Sequence, residues 1–258
     1  MSGRMVILGS GTSFGVPVVG CDCAVCRSDD PRDRRTRTAA VIETRGVRLL
    51  VDTPPELRLQ LVGAGIAGVD AVFYTHEHAD HVAGIDDLRA MSVRRGPLAV
   101  YGPPDTLAEL ARRFSYIFDP SVEPTPGTNK PELRPIGIAP LQAVQVDAVS
   151  VLPVELDHGG SRVYGYRVGR AAYLTDVKMV SDAAYSALEG VDVLVINALF
   201  ERPHPTHLSF DEAVEVARRV GARRTFITHL THRYAHAWLE TRLPEGIAPA
   251  YDGLVVPF

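Results

Sequence analysis

Val69-Asp70-Ala71-Val72-Phe73-Tyr74-Thr75-His76-Glu77-His78-Ala79-Asp80-His81 is an apolar run ending in four strong metal ligands within six residues. The β-branched and aromatic stretch Val69–Tyr74 predicts a buried strand, and the ligands begin where it stops. Residues i and i+2 of an extended chain share a face, so His76 and His78 can point together. A helix entered directly afterwards would swing Asp80 and His81 back toward the same point. Imidazole and carboxylate suit Zn, Mn or Fe, and this donor density predicts more than one ion. The bland alternative is an exposed polar loop, or histidines capping the next helix. Alternating spacing at the C-terminal end of a strand argues against it.

Working outward, other strands also end in ionisable residues. His158 closes Val149–Leu156 and precedes Gly159-Gly160, Asp176 closes Ala172–Thr175, and His229 closes Thr225–Thr228. One such residue carries little, because Asp commonly caps the following helix. Three of them beside the first cluster predict strand ends converging on a cavity. Asp52, after Val47–Val51, has two equal readings: it orients a ligand, or it caps a helix starting near Pro55.

All three cysteines fall in Cys21-Asp22-Cys23-Ala24-Val25-Cys26. An odd number packed so tightly makes no disulfide framework. The cluster suits a structural zinc if a fourth ligand arrives from elsewhere; the alternative is a set of reduced surface thiols.

The chain has 258 residues, 46% hydrophobic, with a formal charge of −4. That length allows one large domain or two small ones. Mild acidity gives no support for a nucleic-acid-binding surface. No apolar run approaches bilayer length, so no membrane partner is expected. Met1–Gly9 is too short an apolar segment for a signal peptide, which makes a cytoplasmic location the expectation. Strands alternate with helices in two halves. The reading includes one helix at Thr106–Phe118, a structureless Pro-rich connector at Pro120–Pro140, and one strand at Ala143–Leu156.

His76-x-His78-x-Asp80-His81, followed by His158, Asp176 and His229, resembles the ligand set of the metallo-β-lactamase superfamily. The resemblance runs over essentially the whole chain. It implies an α/β fold, the four-layer αβ/βα sandwich of two mixed β-sheets flanked by helices. Ligands drawn from both halves imply a single domain, 1–258. By the same resemblance His76, His78 and His158 hold one ion, Asp80, His81 and His229 hold another, and Asp176 bridges them. A water or hydroxide between two divalent ions, Zn or Mn, is the implied nucleophile. The β-lactamases of this superfamily carry Cys where Asp176 stands, which argues against antibiotic hydrolysis.

Two further features narrow the branch. His232, three residues past His229, offers the cysteine cluster its fourth ligand, and Cys21, Cys23, Cys26 and His232 together resemble the structural zinc site of the phosphonate-pathway phosphodiesterases (the PhnP-like branch). Enzymes of pyrroloquinoline quinone biosynthesis share the cluster but have a degraded catalytic ligand set. His207 precedes a helix whose N-cap is Ser209, with Glu212 completing a capping box. In this branch such a His contacts the scissile phosphate or protonates the leaving oxygen. Its alternative is an exposed loop residue; His204 and His236 have no comparable context and read as surface histidines.

Asp80 and His207 are therefore the expected catalytic residues. The implied activity is hydrolysis of small cyclic ribose phosphodiesters, such as 5-phosphoribosyl 1,2-cyclic phosphate, by a homodimer. The tRNA 3′-processing nucleases share most of the pattern. They carry a tRNA-gripping arm between the positions of His158 and Asp176, where this chain has room only for a tight hairpin. A thioester hydrolase of the glyoxalase II type, and a non-catalytic metal-binding protein, complete the alternatives.

Overall fold

A computed structural model describes residues 3–258, so the first two residues of the N-terminal stretch lie outside the described part. Among the described residues, fourteen strands form two seven-stranded sheets. The first contains β1 (Arg4–Gly9), β2 (Ala39–Thr44), β3 (Val47–Val51), β4 (Ala71–Phe73), β5 (Leu98–Gly102) and β6 (Leu133–Gly137). The second contains β7 (Val144–Val146), β8 (Val149–His158), β9 (Ser161–Val168), β10 (Ala171–Leu174), β11 (Val193–Asn197), β12 (Arg224–Thr228) and β13 (Ile247–Pro249). The last strand, β14 (Val255–Pro257), returns to the first sheet beside β1.

Each sheet is mixed. Strands β3 to β6 run parallel, as do β10 to β13, while β1–β2–β3 and β7–β8–β9–β10 pair antiparallel. Parallel strands need crossover helices, and these cover both outer faces. On the first sheet they are α1 (Leu57–Gly63), α2 (Ala79–Val82), α3 (Arg89–Arg95), α4 (Pro104–Arg113) and α5 (Ser115–Phe118). On the second they are α6 (Asp182–Ala187), α7 (Phe210–Val220) and α8 (His236–Arg242). Phe73 and Val51 of one sheet meet Tyr166, Tyr173 and Val195 of the other in a central core. Leu57, Leu61 and Leu110 seal the first outer layer, and Phe210, Val216 and Leu239 the second. The result is the αβ/βα sandwich that the resemblance implies.

The structure departs from the sequence reading in places. The Pro120–Pro140 connector contains β6, whose Pro135 is tolerated because β6 is a sheet edge. The strand expected over Ala143–Leu156 is a hairpin, turned at Asp147 with φ 48°. The helix expected over Thr106–Phe118 breaks at Phe114, where φ and ψ are −113° and 46°. No helix among the described residues is long and apolar enough to cross a membrane.

Candidate metal-dependent active site

Parallel strands of both sheets stop at the same rim, and their C-terminal residues carry the chemistry. Beyond β4 the chain runs extended through Thr75–His78, then turns into α2, whose first turn holds Asp80 and His81. His158 ends β8, Asp176 follows β10, and His229 follows β12. Asp52, Asp176 and His229 all stand at positive φ, 65°, 58° and 59°. That conformation costs a non-glycine residue about 1–3 kcal/mol. It turns each side chain inward where its strand stops. Gly159, with φ 66°, has Pro205 and Thr206 so close that an added Cβ would collide. This contact lets His158 Nδ1 donate to the Thr206 carbonyl across 2.7 Å, leaving Nε2 to face the cluster.

Donor atoms of His76, His78 and His158 lie within 4.8 Å of one another, as do those of His76, His81 and Asp176. Asp80 Oδ2 is 3.4 Å from His81 Nε2, and His229 Nε2 is 3.5 Å from Asp176 Oδ1. Two donors each about 2.0–2.1 Å from one tetrahedral zinc stand about 3.4 Å apart. Five of the seven expected active-site ligands fall in these convergent groups, with Asp176 central, and Asp80 and His229 join them through the contacts to His81 and Asp176. His81 Nε2 and His229 Nδ1 are buried without a hydrogen-bond partner.

Electrostatics also fit a cation. Burial alone would depress His81, yet the carboxylates of Asp176 and Asp52 outweigh it and hold its pKa well above the usual value. A pocket that draws a proton onto a buried imidazole would attract a divalent ion by the same field. Burial keeps His76 well below the ordinary His value and brings His229 down to about 4, so both are neutral and ligand-ready at pH 7. Burial opposes ionisation of Asp176 too, but His229 and His81 more than offset it and lower its pKa. The donor set fits divalent metal ions, the hard-to-borderline class typified by Zn.

Second contacts orient the ligands. Asp52 accepts from the Thr75 N–H and hydroxyl, 2.8 Å each, and from His81 Nδ1. The Thr75 hydroxyl in turn accepts from His76 Nδ1 across 2.9 Å. Of the two readings of Asp52, the structure supports ligand orientation; α1 has no side-chain cap. Thr75 and the Thr206 carbonyl carried no signal in the sequence.

His207 Nε2 donates to Asp176 Oδ1 across 2.9 Å, with Thr206 Oγ1 2.8 Å from Nδ1. Its ring stacks on His229 and meets His158 edge-on. Ser209 and Glu212 form the expected capping box at the start of α7. The two remaining histidines are not simple surface residues. His204 packs against His207 at 5.4 Å between centroids, and His236 is 1% exposed, its N–H donating to Asp33.

Near the rim, Cys21, Cys23 and Cys26 Sγ lie 3.3, 3.5 and 3.5 Å from His232 Nδ1. These separations suit a tetrahedral Cys3His zinc. A hydrogen bond from the Cys26 N–H lowers the Cys23 thiol to about 6, whereas burial raises Cys26 to about 11.

This fold and this ligand constellation define a metallo-hydrolase, and residues 47–230 match the family model of the beta-lactamase superfamily domain. The chain belongs to that superfamily. It is 39% identical to a solved diphosphatase of the PhnP family, with a TM-score of 0.92, over 100% of this chain and 98% of that one. It is also 40% identical over 257 residues to an octanoyltransferase of Porphyromonas gingivalis. That match takes in 97% of this chain but only 51% of the relative, so the chain spans about half the relative's length. Zinc-bound PqqB of Methylobacterium extorquens shares the fold: TM-score 0.79, 20% identity, 98% of this chain and 99% of that one.

Proposed function

We propose that this chain is a binuclear metal-dependent phosphoric diester hydrolase acting on small cyclic ribose phosphodiesters, such as 5-phosphoribosyl 1,2-cyclic phosphate. The observation that carries the reading is His207, its Nε2–H held 2.9 Å from Asp176 inside the ligand cluster. A leaving alkoxide needs a proton, and His207 is the side chain placed to give one. A thiolate leaving group has far less need of it, which disfavours the thioesterase alternative. Bound divalent ions would neutralise phosphoryl charge and acidify an attacking water. His76, His78 and His158 would hold one ion, Asp80, His81 and His229 the other, with Asp176 shared.

The Cys3His cluster is proposed to hold a structural zinc. It would tie the N-terminal loop to the segment after β12. A second substrate reading, a linear diphosphate ester, is favoured by the likeness to the PhnP-family diphosphatase. The tight β8–β9 turn at Gly159-Gly160 supports a small substrate over a tRNA gripped by an arm at that position.

Turnover of bis-p-nitrophenyl phosphate against S-lactoylglutathione tests the class. Phosphodiester turnover at least about a hundredfold above thioester turnover is expected; thioester activity alone would overturn the proposal. A cyclic ribose phosphodiester assayed beside a linear diphosphate ester then ranks the two substrate readings.

A further inference from the structure

The wall of the site continues past His207. The His204 ring lies 5.4 Å from His207, and the Phe200 ring lies 5.8 Å from His204. Two guanidinium groups flank that phenyl ring, Arg233 at 5.5 Å and Arg202 at 5.9 Å from its centroid. Guanidinium stacked on an aromatic ring keeps its N–H edge free for an anion while the ring limits its motion. Neither Arg202 nor Arg233 makes an ion pair with a described carboxylate. The acidic neighbours are engaged elsewhere: Glu201 with Arg242, and Glu212 with Lys178.

Arg233 is held in place from beneath. Buried Arg35, itself paired with Asp33, donates to the carbonyls of Thr231 and Tyr234 on either side of it. His232, its neighbour, belongs to the cysteine cluster. The Tyr234 hydroxyl meets the Glu201 N–H at 3.2 Å, joining the loop of Arg233 to the loop of Phe200 and Arg202. An exposed arginine held by this much buried scaffolding is preorganised to bind something.

We infer that Arg202 and Arg233, braced by Phe200, form a second anion subsite that takes a phosphate remote from the scissile one. The subsite deepens the proposed phosphodiesterase activity and rests on it for its role in turnover. It selects substrates carrying a second phosphate over those carrying one. The Cys3His cluster and Arg35 then serve substrate selection, by fixing the loop that presents Arg233.

The metal-loaded protein is compared with its Arg202→Gln/Arg233→Gln variant in two measurements. In the first, both turn over thymidine 3′-(p-nitrophenyl phosphate) with and without a 5′-phosphate. The variant should raise KM for the 5′-phosphorylated ester by about tenfold or more, leaving kcat and the unphosphorylated ester unchanged. In the second, ribose 5-phosphate is titrated by calorimetry, and the variant should bind it about tenfold more weakly. Equal binding by the two proteins overturns the subsite. Weaker binding by the variant, with neither ester cleaved by the wild-type protein, upholds the subsite and overturns the phosphodiesterase reading instead. An equal loss on both esters also overturns the subsite, because it would mean general damage.

Discussion

The Nδ1–H of His81 points at Oδ2 of Asp52 across 2.7 Å, and both side chains are sealed from solvent. This contact fixes the His81 tautomer and leaves Nε2 to face Asp80 and Asp176. Asp52 also ties down Thr75, and through it His76, so one carboxylate orients two ligands.

Replacing that carboxylate should therefore loosen the metals before it touches the chemistry. Asp52→Asn is expected to weaken metal affinity by about 10–100-fold, measured by competition with a chromogenic chelator. Unchanged affinity would assign Asp52 to folding alone.

His207 touches Asp176, and its donor atom also falls within reach of His158, so a ligand role competes with an acid role. His207→Ala is expected to keep full metal content. On an alkoxide leaving group kcat should fall about 10²-fold or more, and far less on p-nitrophenolate, which needs little protonation. Metal loss, or an equal fall on both leaving groups, would make it a ligand.

In the metal-free protein Cys23, lowered to about 6 by the Cys26 N–H, is a thiolate at pH 7, whereas Cys26, raised to about 11 by burial, is a thiol. Iodoacetamide should label Cys23 before Cys26, with the Cys23 rate rising through pH 6 and levelling above pH 7. Mass mapping of the alkylated peptides checks this. Preferential labelling of Cys26 would contradict it.

Acid should destabilise the metal-free fold. Burial depresses His76, His158 and His229, the last to about 4, whereas the same groups titrate near 6.5 when unfolded. The unfolded chain then takes up protons that the fold refuses, so stability is lost as pH falls from about 6.5 toward 4. His81, raised by Asp176 and Asp52, acts in the opposite sense, adding stability below about 6.5 that is lost as pH climbs through its folded value. Below about 6.5 the His81 contribution is already complete and no longer changes, so the three depressed imidazoles decide the trend, and the urea midpoint should drop between pH 6.5 and 5. A midpoint that rose over this range would refute the balance.

The expected ligands His76, His158, Asp176 and His229 were legible because each stands where an apolar run stops, a pattern that needs only strand periodicity and residue chemistry. The sandwich itself came from the resemblance, since periodicity cannot say which strands pair. Missed elements have local reasons. Strand β6 contains Pro135 and lies in the Pro-rich connector, which reads as loop, and its edge position excuses it. The left-handed backbone at Asp52, Asp176 and His229 leaves no trace in composition, because residues other than glycine rarely adopt it. His204 and His236 lacked a strand-end context, and only the folded chain shows one against His207 and the other beside Asp33.

A pair of cations shared at the rim where both sheets end predicts a stoichiometry of two for the active site. Metal-stripped protein can be titrated with Zn or Mn while bis-p-nitrophenyl phosphate turnover is followed. After one zinc equivalent is returned to the Cys3His site, activity should rise until two further equivalents are bound and then level off. Full activity at one further equivalent, or none at any loading, would contradict the account.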